Sequence, residues 1–144
     1  MILGHLALVA AALFASAAFY INFAEQPARL ALDDRAALLQ WQRSYERAAL
    51  MQASLAMVGF FFGLAAWWWH GRDVAWLVGA LAVLAPWPWT LLVIKPVNDR
   101  LNATTPEKAG PQSRALIERW GRLHAGRTAF GALATAIFFW VTVS

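Results

Sequence analysis

Residues 2–23, ILGHLALVAAALFASAAFYINF, contain no Asp, Glu, Lys or Arg. At 1.5 Å per residue, about 20 apolar residues are what a helix needs to cross a bilayer core of about 30 Å. Three further runs share this property, Ala48–Trp69, Val74–Ile94 and Thr128–Val143. The last is short, and helix before Thr128 extends it to a span of about 126–143. The hydrophobic fraction is 60% of 144 residues and the mean hydropathy is +0.49, against roughly 45–50% apolar residues in ordinary soluble domains. A chain of this length cannot bury so much apolar surface in its own core, so lipid must cover part of it. The reading is an all-α, integral membrane four-helix bundle forming a single domain, 1–144, with spans near 2–23, 48–69, 74–94 and 126–143.

Charge sets the expected orientation. Every Lys and Arg except Arg72 lies between runs one and two or between runs three and four. The positive-inside rule places those connections in the cytoplasm and both termini outside the cell's inner (cytoplasmic) membrane. Trp67, Trp68, Trp69, Trp76 and Trp140 then make an aromatic belt at the outer interface. The net charge of +4 reads as topogenic and headgroup-facing, not as a nucleic-acid surface. Without Cys there are no disulfides, thiolate metal sites or Cys nucleophiles. Ala15-Ser16-Ala17 has the form of a cleavage site, but no basic residue precedes the apolar stretch, so no cleaved signal peptide is expected.

Asp33 and Asp34 sit where an N-cap belongs, and Leu38, Trp41, Tyr45, Ala48 and Gln52 recur on one helix face. These predict a second helix of about 35 residues, whose first turns stand beyond the bilayer core. Pro86-Trp87-Pro88-Trp89 should kink or open the third span. Irregular backbone at membrane depth is tolerated beside protein or a cavity, so residues 86–89 should lie against a pocket or another helix. Leu101–Pro111 reads as the one true loop, with Pro111 opening a fourth helix that runs to Val143. Helices two and four are thus expected to extend into the cytoplasm. Glu118 and Arg122 are spaced to pair.

Polar residues cluster at the inner end. Run one closes with Tyr20, Asn22, Glu25 and Arg29, run three with Asn98, Asp99 and Arg100, and run four opens with Trp120, His124 and Arg127. A His can act as base, acid or donor near neutral pH, an Arg can hold an anionic oxygen, and an Asn can donate and accept at once. Each also has a plain reading, as interfacial charge or snorkelling cation. Their convergence argues for a site. His5 and His70 belong to the outer end and His124 to the inner one, so no metal site is expected.

The stretches Tyr20–Arg29 (YINFAEQPAR), Pro96–Leu101 (PVNDRL) and Trp120–Thr128 (WGRLHAGRT) together resemble a family of small four-span membrane proteins, long of unknown function, that includes the fungal anthrone oxygenases. The resemblance covers nearly the whole chain. It implies oxidation of a polycyclic anthrone to an anthraquinone by O₂, without a dedicated redox cofactor, at Asn98, Arg100, His124 and Arg127. Asn22, Glu25 and Arg29 match a motif of the bacterial members. In such chemistry His124 would take a phenolic proton, Arg127 or Arg100 would stabilise the anion, and Asn98 would orient the substrate. Trp87, Trp89 and Trp120 would offer flat walls, with Trp41 and Tyr45 as a lid. The expected partners are the bilayer and a lipophilic aromatic molecule or quinone, with O₂ as co-substrate. Two other functions stay open: a non-catalytic quinone- or lipid-binding accessory protein, and an oligomeric scaffold using Gly4, Gly59, Gly63 and Gly79 as packing positions.

Overall fold

A computed structural model describes residues 1–144. It is all-helical, with four helices long and apolar enough to cross a membrane: α1 (Ile2–Leu30), α2 (Asp34–Trp69), α3 (Val74–Ala103) and α4 (Pro111–Val143). Each packs against its neighbour in sequence, and α4 closes the ring against α1, giving an up-down-up-down bundle with short connections.

Local chemistry fixes the helix ends. The Asp33 carboxylate accepts from the Ala36 N–H (3.0 Å) and that of Asp73 from Ala75 (2.9 Å), each satisfying an orphan donor of the first turn. Pro111 starts α4 with its missing N–H where none is needed. Between α2 and α3, Gly71 and Arg72 both take left-handed φ values, 67° and 63°. Glycine accepts that conformation freely, while at Arg72 the guanidinium rests 4.5 Å over the Trp68 ring.

The bundle is inside-out. Its interior near the α2–α3 turn is built from small residues around a few rings: Ala7, Ala11, Ala80, Trp76 and Phe138. A Cβ on Gly79 would come within 2.5 Å of Phe138, and one on Gly63 within 2.8 Å, so both glycines exist to admit that ring. Leu13, Val58, Phe61, Leu81, Leu92 and Phe139 point outward and are exposed, the surface that lipid would cover. Trp68, Trp69 and Trp140 are exposed as a belt requires, but Trp76 is not. It is 4% exposed, stacked on His70 and packed against Phe138 and Gly4, because the gap above Gly4 has room for a large ring.

Two prolines that follow the apolar runs do not end their helices. α1 runs on past Pro27 to Leu30, and α3 past Pro96 to Ala103, so all four helices continue beyond the apolar runs. In each case the preceding turn widens into a π-helix, Ile21–Glu25 and Thr90–Ile94. The clash of a proline ring is with the carbonyl four residues back, here Phe23 and Leu92. A π turn carries that carbonyl out of the way and keeps the helix going. Pro86 interrupts the regular hydrogen-bond ladder of α3 at Ala85, where the backbone itself stays helical. The fourth helix shows no Glu118–Arg122 ion pair. The Arg114 side chain instead staples the α1–α2 connection, reaching Asp34 and the carbonyls of Leu30 and Leu32.

Candidate functional site

The polar ends of the four helices enclose seven buried polar side chains: Gln26, Arg29, Gln52, Asn98, Ser113, His124 and Arg127. They divide into those that hold the bundle and those that leave bonding capacity unused.

Arg29 belongs to the first group. Its guanidinium donates to Glu25, Gln40, Gln26 (2.6 Å) and Ser44 (3.2 Å), and it lies 5.5 Å over the Trp120 ring. Gln26 passes the connection on through Nε2 to the Ile117 carbonyl, 2.8 Å away. This cluster clamps the end of α1 to α2 and α4. The Glu25–Arg29 spacing of four does form an ion pair.

His124 is oriented by Asn22. The Asn22 Nδ2 donates to the Gly121 carbonyl at 2.8 Å, and a carbonyl can only accept, which fixes the amide's orientation. Its Oδ1 therefore accepts twice, from Thr128 Oγ1 at 2.9 Å and from His124 Nδ1 at 2.8 Å. The neutral imidazole so held carries its proton on Nδ1 and its lone pair on Nε2. Nε2 makes no hydrogen bond within the protein. The ring lies against Trp120, tilted by 32° with 4.8 Å between centroids.

Arg127, one turn on, is 8% exposed and makes no ion pair. Nη1 donates to Thr90 Oγ1 (3.1 Å), the guanidinium lies 5.7 Å from the Phe14 ring centroid, and Nε is buried without a partner. Asn98 donates through Nδ2 to the Tyr45 hydroxyl at 3.0 Å, and its Oδ1 has no partner. Tyr45 in turn stacks on Trp41, 4.8 Å away and nearly parallel.

These groups surround two adjoining spaces. A small inner cavity of about 20 Å³ lies among Trp41, Tyr45, Asn98, Trp120, His124 and Arg127, with room for a water but not for a ring. A lateral groove of about 150 Å³ opens between α2 and α3, walled by Phe14, Ala53, Ala56, Pro86, Trp87 and Leu91. Arg127, Gln52 and Ala49 line both. The groove meets the exposed apolar surface that lipid would cover. Residues 86–89 thus lie against a pocket on one side and another helix on the other: Trp87 faces the groove, while Trp89 donates to the Leu123 carbonyl (2.9 Å) and covers Gly126.

Of the residues singled out in the sequence, Tyr45, Asn98, Trp120, His124, Arg127, Glu25 and Arg29 border the inner cavity. Asn22 touches His124 from outside it. Tyr20 is exposed, and Arg100, also exposed, lies by Thr104 and Lys108 away from both spaces. Trp89 lines neither space. Gln52 is the member that sequence reasoning gave no role, although it is the polar residue on the Trp41–Tyr45 stripe within an apolar run. No three His, Asp or Glu side chains come together as metal ligands.

The family described as anthrone oxygenase matches residues 41–137. The chain belongs to the anthrone oxygenase family. No curated protein and no solved structure matches it. The matched stretch covers most of α2, all of α3 and most of α4, so the matched part of this chain contains Tyr45, Gln52, Asn98, His124 and Arg127. Asn22, Glu25 and Arg29 on α1 lie before it.

Proposed function

We propose that this protein is a membrane-embedded oxygenase that oxidises a lipophilic phenolic or polycyclic aromatic substrate with O₂ at the polar end of its bundle. The observation that carries the reading is the pairing of an imidazole pinned at Nδ1, with Nε2 unbonded, and a buried guanidinium that has no carboxylate partner. Anthrone chemistry calls for a base and a stabiliser of the resulting anion, which such a pair can supply. Converting a ring methylene to a carbonyl consumes one O₂: one oxygen atom enters the product, and the other leaves as water with the two methylene hydrogens. The slow start is loss of a proton, since the anion and not the neutral ring gives an electron to O₂. The inner cavity admits an oxygen substituent and not the ring, so the proton that His124 Nε2 takes is the one on a phenolic (enol) oxygen held by Asn98 and Tyr45. Arg127 stabilises the resulting negative charge in a site where little water screens it. Arg100 is too far out on the surface to share that role.

The lateral groove supports access from lipid, where such substrates dissolve. The distribution of Lys and Arg supports a cytoplasmic position for this end and outward-facing termini. A protein that binds a quinone or aromatic lipid without oxidising it would use the same spaces, and oxygen uptake separates the two. With anthrone presented in mild detergent micelles, O₂ consumption above the buffer background is expected for the wild type. His124→Gln should lower it by about 10²–10⁴-fold with the unfolding temperature retained. Unchanged turnover in that variant refutes His124 as the base, and binding without O₂ consumption by the wild type refutes the oxygenase.

A further inference from the structure

The geometry points to a ligand-selecting site at the junction of the groove and the inner cavity, where Gln52 and Arg127 recognise a planar, lipid-dissolved ring carrying a hydroxyl beside a carbonyl. This rests on the two spaces being the binding place, as in the proposed function, but not on the oxidation step.

Gln52 is 1% exposed, and neither Nε2 nor Oε1 has a hydrogen-bond partner in the protein. The residue lines both spaces. Buried amide groups are almost always paired, because leaving them unmade costs more than a hydrogen bond contributes. A primary amide with both ends unpaired, inside a run dominated by Ala, Leu and Met, is a poor choice for packing alone. Beside it Arg127 Nε is also unpaired. The junction therefore offers donors from Gln52 and Arg127 and one acceptor, Gln52 Oε1.

The occupant has to answer with an acceptor and a donor close together. A hydroxyl next to a ring carbonyl supplies both in one plane. An acyl chain supplies neither, and a phosphate supplies acceptors while bringing a hydrated charge past Phe14, Ala53, Ala56 and Trp87. The groove's volume suits a ring, since an apolar cavity of about 150 Å³ takes benzene. The flat Trp87 side chain gives a further face to stack on.

The test uses the full chain in mild detergent and two probes, naphthoquinone and a hydroxynaphthoquinone whose hydroxyl adjoins a carbonyl, read by quenching of tryptophan fluorescence. The wild type should prefer the hydroxylated probe. Gln52→Leu should weaken that probe about tenfold and leave the plain one within about twofold. The ligand-free Gln52→Leu protein should unfold at a temperature no lower than the wild type, because the variant removes two unpaired polar atoms. A residue kept for structure would show the opposite. Ala53→Phe, which fills the groove, should weaken both probes. Equal loss of both probes in Gln52→Leu, no preference in the wild type, or full binding in Ala53→Phe overturns the inference. If Gln52→Leu loses the preference but the wild type consumes no O₂, the oxygenase reading fails and this one stands. Turnover with the preference intact in Gln52→Leu does the reverse.

Discussion

The two buried arginines make opposite predictions for one substitution. Burying an ion costs several kcal/mol after relaxation, and removing one partner of a satisfied buried pair costs about 3–5 kcal/mol. Arg29 is satisfied by Glu25, Gln26, Gln40 and Ser44. Arg29→Met strands a half-buried carboxylate and three polar side chains, so a loss of about 3–5 kcal/mol is expected. Arg127 has only Thr90 and the Phe14 face. A hydrogen bond from a charged donor contributes about 1.5–3 kcal/mol, and a cation–π contact about 0.5–2 kcal/mol. Against a burial cost of several kcal/mol, those terms leave Arg127 between neutral and about 2 kcal/mol unfavourable. Arg127→Met keeps the length and an apolar stem, so it should leave stability unchanged or raise it. At about 3 °C per kcal/mol for a chain of this size, the expectation is a shift of about 0 to +6 °C for Arg127→Met and a fall of about 9–15 °C for Arg29→Met. Both are measured by thermal unfolding in the same mild detergent, followed by tryptophan fluorescence and far-UV circular dichroism. Turnover should fall about 10²-fold or more in Arg127→Met, the range found when a transition-state charge loses its donor. If Arg127→Met loses as much stability as Arg29→Met, Arg127 is a structural ion and the case for an anion site at the groove's inner end collapses.

Asn22 should behave as a positioning residue. Asn22→Leu leaves the His124 Nδ1–H and the Thr128 hydroxyl without their acceptor, at about 1–3 kcal/mol each, so a loss of about 2–6 kcal/mol is expected. Asn22→Asp keeps the acceptor that orients His124, and should retain more kcat than Asn22→Leu at equal KM; equal kcat in the two would show that ring orientation does not matter. The orientation in the membrane can be read directly because the chain has no Cys. Single cysteines at Ala109 and Ser144, probed on intact cells with a membrane-impermeant maleimide, should be protected and labelled respectively, and the reverse pattern overturns the positive-inside assignment.

The bundle was legible because its signals are local. Four runs free of charge, the Asp33 cap and Pro111 at the start of α4 are each read within a few residues. The same holds for the stripe that puts His124 and Arg127 one turn apart. What stayed hidden depends on the third dimension. Nothing in Glu25-Gln26-Pro27-Ala28-Arg29 says that Arg29 is buried, since its partners Gln40 and Ser44 come from another helix. The contact that sets the His124 tautomer joins residues 102 apart in sequence. The sequence motif gives Trp87 and Trp89 the same part as flat walls, although two residues along a helix are about 200° apart at 3.6 residues per turn. One had to face the groove and the other α4.

The prolines tie these observations together. Pro27 and Pro96 follow the two π turns, and Ile21, Glu25, Thr90 and Ile94, which line the two spaces, all belong to those turns. A π turn fits an extra residue into the helix circumference, so side chains after it are rotated relative to a continuous α-helix. Without the π turn in α3, Thr90 and Asn98 would not keep their present relation, one bonded to Arg127 and the other to Tyr45. Across from these widened turns α2 presents Ala48, Ala49, Ala53 and Ala56, which are too small to fill the gap. Neither feature alone makes a cavity, because a wide turn can be packed by a large side chain and an alanine face can be closed by a regular helix. Their apposition leaves unfilled space inside the bundle, and the buried polar groups with spare bonding capacity, Gln52, Asn98 and Arg127, stand around it. That coincidence of unfilled space and unpaired polar atoms favours a binding site over a packing imperfection, since imperfect packing gives no reason for polar atoms to gather there.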